Sequence, residues 1–270
     1  MVMKRPQTWT ALGTWTALGK WTSRLRTLVL VAAALGLGAC ATLPAPAAPS
    51  PADPAAVWSR VLADHVNGEG AIDFVGLRER PNDLEAYVAW VGRHGPRSTP
   101  ALFPTRESRL AYYINAYNAL AMYLVVATPR RPEEQVRFFI ATRVPIDGGA
   151  MSLYTFENEV IRPLGEPRVH FALNCLVRGC PRLPPTPFAA ERLDAMLDAE
   201  TRRFLDDPRN VQVDPPLRTL RLNSILKFYT ADFLAAAPSL PVYVNRYRST
   251  PVPEDYGVRF IPYDWTLHQQ

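Results

Sequence analysis

The chain has 270 residues, of which 48% are hydrophobic and 20% are charged, an ordinary composition for a globular protein. Its net charge of +5 comes from the first 39 residues, which hold five Lys or Arg and no acidic residue, because the remaining 25 basic and 25 acidic side chains cancel. A nucleic-acid-binding domain needs a basic surface on its folded part. Charge therefore argues against nucleic acid as a partner.

Residues 1–39 are predicted to be a signal peptide, since basic residues precede an unbroken apolar run that is short for a membrane span and ends in small residues. The run closes on Leu37-Gly38-Ala39-Cys40, which resembles the bacterial lipobox. The resemblance implies cleavage before Cys40 and lipidation of its thiol, so that the lipid joins the protein to a membrane. Ala41 is not the Asp that usually retains lipoproteins at the inner membrane, which favours the outer membrane, facing the periplasm. Cleavage elsewhere, with Cys40 incidental, is the alternative.

Residues 40–56 are predicted to be a tether that holds the domain off the membrane. Five prolines stand there among Ala and Ser, a composition that cannot bury a core and tends to extended polyproline-II structure. From position 57 onward there is no second linker or low-complexity break. Residues 57–270 are therefore predicted to form one domain, near the size at which single cores stop growing.

Helices dominate the first half of this domain. Apolar residues recur at helical spacing over residues 57–66, 84–91 and 107–126, and the last of these is the longest helical pattern in the chain. A short strand or extended piece is predicted at residues 71–75.

The second half is predicted to mix helices and strands. A turn at residues 147–149 follows mixed structure over 136–144, and Ser152 caps a helix over 153–162. Residues 169–175 are mostly apolar, which indicates a buried strand. The remaining predictions are a helix over 189–205, a strand pair at 211–213 and 220–222, a helix over 224–233 and a closing segment at 258–265. The fold class is thus α+β, a single domain that is mostly helical with a small buried sheet.

Five ordered blocks of this sequence resemble an uncharacterised family, domain of unknown function 547 (DUF547). They are residues 111–120, Ser152-Leu153 with Glu157 and Arg162, His170 with Cys175 and Cys180-Pro181, residues 228–233, and Tyr263-Asp264-Trp265. The resemblance covers residues 57–267 and implies no established reaction. One departure is visible, because the family usually ends in Asp-Trp-x-Leu-Asn and here His268 follows Leu267.

The densest group of reactive side chains is His170, Cys175 and Cys180. Cys180 precedes Pro181, a favoured first residue of a helix, and a thiol at a helix N-terminus ionises more easily. This favours a reactive thiolate. An oxidising periplasm instead favours a Cys175–Cys180 disulfide, as a structural staple or a redox pair. The sequence leaves both alternatives open.

The leading hypothesis is a lipid-anchored cysteine-dependent hydrolase or acyl-transferase of broadly papain-like logic. Cys175 or Cys180 would be the nucleophile and His170 the base, with Glu157, Asp264 or an Asn to orient the imidazole. A core histidine with no catalytic role is the structural alternative for His170.

Three further residues have two interpretations each. Asn115 and Asn118 share one face of the long helix, where they either brace the core through hydrogen bonds or point into a site. Glu157 either orients His170 or forms a structural ion pair with Arg162.

Metal ions and cofactors are not predicted. Cys175, Cys180 and His170 supply three zinc ligands at irregular spacing, whereas a structural zinc site needs four. The competing hypothesis is a non-enzymatic lipoprotein with a structural or redox Cys175–Cys180 pair, whose aromatic-rich surface binds peptide, glycan or a partner protein.

Overall fold

The long helix α4, Arg106–Ala127, lies at the centre of the computed structural model, which describes residues 41–129 and 131–270. Thr105 and Ser108 form a capping box at its start. By length and composition this helix could cross a membrane, but 83% of the relevant stretch is buried inside the domain. It is the core helix that its apolar pattern predicts. The predicted leader, residues 1–39, and the predicted lipidation site Cys40 lie outside the described residues.

Three helices precede α4. They are α1 (Pro54–His65), α2 (Phe74–Glu79) and α3 (Asn82–Arg93). Helix α1 packs on α3, and both α2 and α3 pack on α4. The prediction of an extended piece over residues 71–75 was wrong from Phe74 onward. The Asp73 carboxylate accepts a hydrogen bond from Gly76 N at 2.8 Å and starts α2, because a capping carboxylate stabilises the first helical turn.

The first sheet has the order β1-β2-β3 and comprises Ala41–Thr42, Thr142–Ile146 and Gly149–Ser152. Strand β1 runs parallel to β2, whereas β3 runs antiparallel to it. The turn between β2 and β3 is at the predicted position, with positive φ at Asp147 and Gly148.

The first residues of the predicted tether lie against the domain. Besides the β1–β2 pairing, Leu43 N donates to Arg143 O at 2.8 Å, and the Arg93 guanidinium donates to Ala48 O at 3.2 Å and to Ser50 Oγ at 2.8 Å. These contacts join the first residues of the predicted tether to the domain, which its proline-rich composition alone does not predict.

Helix α5 begins at Leu153–Thr155, continues through the π-helical stretch Phe156–Ile161 and ends in the 3-10 turn Arg162–Leu164. Thr155 N donates to the predicted cap, Ser152 Oγ, at 3.1 Å. The buried strand predicted over residues 169–175 is absent from the described residues, because Pro167–Phe171 form a 3-10 helix. Pro167 fits the first helical position, and Glu166 caps it by accepting from Arg168 N at 3.2 Å.

The last part of the described chain builds a second sheet and further helices. Its elements are α6 (Leu193–Asp206), β4 (Val211–Asp214), β5 (Thr219–Asn223), α7 (Ile225–Phe228), α8 (Thr230–Ala236), α9 (Leu240–Asn245) and β6 (Gly257–Ile261). Strand β5 lies between antiparallel β4 and parallel β6. The helix predicted over 224–233 is divided at Tyr229. The α+β class is confirmed, with two small three-stranded sheets where the sequence predicts one.

Two hydrophobic cores meet at the 3-10 helix Pro167–Phe171. Val169 and Ala172 pack into the core around α4, whereas Phe171 packs into the core beneath the second sheet. The 3-10 helix contacts α6 on one side and α8 on the other. His170 is therefore fixed at the junction of the two cores.

Candidate functional site

His170 is held by a carboxylate and an aromatic ring. Its Nε2 lies 2.8 Å from Asp232 Oδ2, and its ring stacks on Tyr229 with centroids 3.7 Å apart. Only 2% of His170 is exposed. An ionised carboxylate only accepts hydrogen bonds, so the His170 Nε2–H is the donor in this pair.

Asp232, on α8, is in turn held by Arg162. The Arg162 Nε and Nη2 atoms each lie 2.8 Å from an oxygen of Asp232, the two-pronged geometry that suits a guanidinium and a carboxylate. Hydrogen bonds from Arg162 and then from His170 hold the pKa of Asp232 well below its usual range. Arg162 thus pairs with Asp232, and the ion pair with Glu157, one of the two alternatives for Glu157, is absent from the described residues.

Glu157 approaches the other nitrogen of the imidazole. Its Oε1 lies 3.9 Å from His170 Nδ1, and the Tyr117 hydroxyl donates to its Oε2 at 3.4 Å. Burial raises the pKa of Glu157 above that of an exposed carboxyl, because a low dielectric disfavours the charged form. His170 Nδ1 is buried and has no hydrogen-bond partner among the described residues. Glu157, one of the two acids predicted to orient the imidazole, thus lies at the ring nitrogen opposite Asp232.

Cys175 and Cys180 are joined by a disulfide, with their Cα atoms 5.9 Å apart. The Tyr263 hydroxyl lies 3.0 Å from Cys175 Sγ and 3.1 Å from Cys180 Sγ. Neither sulfur is a free nucleophile in this state, and among the described residues His170 forms no hydrogen bond with either. The geometry corresponds to the disulfide alternative.

The disulfide loop fits closely against the C-terminal segment. Gly179 N donates to Asp264 O at 2.9 Å. A Cβ added at Gly179 would lie 2.9 Å from Tyr263 Cε2, closer than a real Cβ approaches, and 3.0 Å from Asp264 N, which is also tight. Glycine at this position therefore allows the loop to pack closely enough for both sulfurs to contact Tyr263.

His170 and most of its neighbours line one pocket of about 390 Å³, whereas Asp232 lies behind the imidazole and outside the lining. Its polar residues include Tyr117, Glu157, Arg162, His170 and Tyr229, and both cysteines lie in its wall. Its apolar lining includes Phe139, Ile140, Tyr154, Phe228 and Trp265. About half of the surface of Ile140, Tyr154 and Phe228 is exposed. A concave, mostly apolar site with a few convergent polar groups is typical of ligand binding.

The other predicted site residues lie outside this pocket. Asn115 Nδ2 donates to Phe188 O at 2.8 Å, and its Oδ1 accepts from Phe188 N at 3.0 Å. Asn118 Nδ2 donates to Ala172 O at 3.0 Å, and its Oδ1 accepts from Asn174 N at 2.8 Å. Both amides brace loops, as the structural interpretation predicts, and Asn118 supports the segment between His170 and Cys175.

Asp264 does not orient His170. It is exposed, and its Oδ1 accepts from Thr266 N at 2.9 Å, a bond that lowers its pKa. The acid that orients His170 is Asp232, which lies in one of the blocks that resemble DUF547 but had no predicted role. The sequence gives little indication of this role, because an acidic residue on a short helix is common. Tyr229 and Tyr263 were overlooked in the same way.

The described residues contain no group of three or more His, Cys, Asp or Glu that could hold a metal ion. A family model described as "Protein of unknown function, DUF547" matches residues 102–205. No curated protein and no solved structure matches the chain. The chain is thus similar to the DUF547 family over a stretch that includes Glu157, His170 and both cysteines, whereas Asp232 and Tyr263 lie beyond it.

Proposed function

We propose that the pocket is the active site of a hydrolase or group transferase that uses Glu157 and His170 for acid–base chemistry. The observation that carries this proposal is the position of the imidazole, between Asp232 at 2.8 Å and Glu157 at 3.9 Å, on the lining of an aromatic pocket. Titratable pairs whose environments move their pKa values apart are typical of acid–base sites. Here burial raises the pKa of Glu157, whereas Arg162 lowers that of Asp232.

The proposed roles follow from the hydrogen bonds. Because His170 Nε2 donates to Asp232, the Nδ1 of a neutral ring presents its lone pair towards Glu157. In hydrolysis, ionised Glu157 accepts a proton from water, and the water oxygen bonds to the electrophilic carbon of the substrate. The bond to the leaving group breaks, and Glu157 returns the proton to that group. Once Glu157 holds the proton, its O–H can donate to the Nδ1 lone pair of His170, which stabilises the protonated carboxyl until the proton passes to the leaving group.

The proposed substrate is a peptide or glycan of the cell envelope. Aromatic and apolar side chains around the pocket mouth suit the apolar faces of sugar rings and acyl groups. The envelope address is part of the proposal and rests on the lipobox-like Leu37-Gly38-Ala39-Cys40. Lipid on Cys40 would place the domain at the outer membrane, facing the periplasm.

The original thiol-dependent form of the hypothesis needs a reductant, because both sulfurs are occupied in the disulfide. A second candidate function is therefore a non-enzymatic binding lipoprotein in which the disulfide is structural. The contact of Tyr263 with both sulfurs favours this candidate, since it fixes the bridge as part of the pocket wall.

The test is hydrolysis of a panel of p-nitrophenyl esters and glycosides and of purified peptidoglycan by the wild type and variants. Glu157→Gln and His170→Asn are expected to lower the rate by about a hundredfold or more, whereas the exposed control Asp264→Asn is expected to match the wild type. Equal rates for Glu157→Gln and wild type on every active substrate would contradict the acid–base proposal.

A double variant, Cys175→Ser with Cys180→Ser, separates the thiol from the carboxyl. Activity retained in this variant supports Glu157 as the acid–base group. Activity lost in a folded double variant, together with labelling of the wild type by iodoacetamide without reductant, would instead restore the thiol hypothesis. A wild type that binds a fragment of peptidoglycan but turns over no substrate supports the binding lipoprotein.

A further inference from the structure

A second cavity, of about 380 Å³, shares Cys180 with the first pocket. Its lining includes His268 and four arginines, Arg178, Arg182, Arg203 and Arg209. The chain converges there from the disulfide loop, from α6 and from the C-terminal segment. His268 N donates to Leu176 O at 2.7 Å, and Ile72 N donates to His268 O at 3.2 Å, so hydrogen bonds hold that segment in place.

Two of these cations are already neutralised. Arg182 forms two hydrogen bonds to Glu200, at 2.6 and 2.8 Å, and Arg209 pairs with Asp207 at 2.6 Å. Each of these carboxylates is held by its own arginine. Two of the four guanidinium groups are thus paired with carboxylates of the cavity wall.

Arg178 and Arg203 are different, because their guanidinium groups have no ion pair or hydrogen bond among residues 41–129 and 131–270. Both are exposed and line the same cavity. Glu69 is the remaining acid of the lining and likewise has no ion pair within that described part. The cavity therefore carries an excess of positive charge.

The positive charge of the cavity affects the pKa of His268. Burial lowers its pKa first, and the positive charges of Arg178 and Arg209 lower it further, against a smaller opposing effect of Glu69. The imidazole thus lies in a region of positive potential, which attracts anions.

We propose that this cavity is a binding site for a small oxyanion ligand, one that bears phosphate or carboxylate groups, and that Arg178 and Arg203 are its main cationic contacts. A guanidinium presents a planar fork that matches the paired oxygens of phosphate and of carboxylate. His268 supplies a third polar contact. This site is separate from the acid–base pocket and stands whether or not that pocket is catalytic.

The experiment follows the ring signals of His268 by NMR while sodium phosphate or sodium citrate is added to the folded domain. Sodium chloride at about 0.1 M keeps distant charges screened throughout. Saturable shifts of the His268 signals and a rise of its pKa are expected with at least one anion. The anion that binds with the higher affinity shows whether the ligand is phosphate-like or carboxylate-like.

Variants decide whether the site is built as proposed. Arg178→Gln and Arg203→Gln are each expected to weaken binding about tenfold, the loss expected for one charged hydrogen bond. Arg221→Gln is the matched control, because Arg221 is exposed on β5 and outside the cavity, and it is expected to bind like wild type. Non-saturable shifts for both anions, or equal affinities in all variants, would overturn the proposal.

Discussion

Replacement of Asp232 by Asn tests the hydrogen-bonded chain that holds His170. The variant loses the charge that two bonds from Arg162 and one from His170, all of 2.8 Å, now compensate. Hydrogen bonds to charged groups contribute about 1.5–3 kcal/mol each. Because Asp232 and Arg162 are 24% and 27% exposed, solvent screens them, and Asn keeps one acceptor. We expect a loss of about 2 kcal/mol at neutral pH, or roughly 4–8 °C in Tm for a domain of this size.

The pH dependence of this loss has a definite sign. The pKa of Asp232 is lowered in the folded protein, so its stabilising effect is present above its unfolded pKa of about 3.9 and is lost as pH falls through the folded value. The difference in unfolding free energy between wild type and Asp232→Asn is therefore expected to be constant between about pH 5 and 7 and to shrink below about pH 4.

The assay is urea denaturation followed by circular dichroism at several pH values. Asp255→Asn is the control, because Asp255 also pairs with an arginine, Arg218, but both side chains are mostly exposed. Such surface pairs contribute about 0–1 kcal/mol. A loss at pH 7 no larger in Asp232→Asn than in the control would refute the reasoning. So would a difference from wild type that stays the same at pH 3.

Three further changes test other parts of the site. Removing the disulfide with Cys175→Ser and Cys180→Ser is expected to cost about 2 kcal/mol for so short a loop, measured as a fall in the urea midpoint; an unchanged midpoint would contradict a structural role. Asn118→Ala leaves Ala172 O and Asn174 N without their partner. The variant is expected to lower the free energy of unfolding by about 2–4 kcal/mol in the same assay. A smaller loss would mean that other groups replace the amide. The folded pKa of Glu157 is raised by burial, so its stabilising effect is present at low pH and lost as pH rises. Glu157→Gln is therefore expected to gain stability relative to wild type as pH rises above about 4, whereas a flat difference would exclude a raised pKa.

Helices with strong apolar periodicity were predictable, and short turns were not. The pattern over residues 107–126 predicts α4 within one residue at each end, because a helix buried on all sides shows in the sequence as an apolar run. At Pro167–Phe171 the apolar content is equally high, yet a 3-10 helix forms. There the cap at Glu166 and the proline after it determine the backbone conformation, whereas the apolar content indicates only that the segment is buried.

Part of the pocket lining could be predicted from the sequence, but the contacts within it could not. His170, Glu157, Cys175 and Cys180 do line one pocket, yet proximity in sequence suggested a histidine–sulfur pair. The actual partner of His170, Asp232, is 62 positions away, on a helix of the second core. Because the 3-10 turn places Val169 and Phe171 in different cores, the ring between them must lie where the cores meet, and only their packing decides which acids lie there. Because the disulfide occupies both sulfurs, the proposed acid–base chemistry of this pocket rests on its carboxyl and imidazole groups.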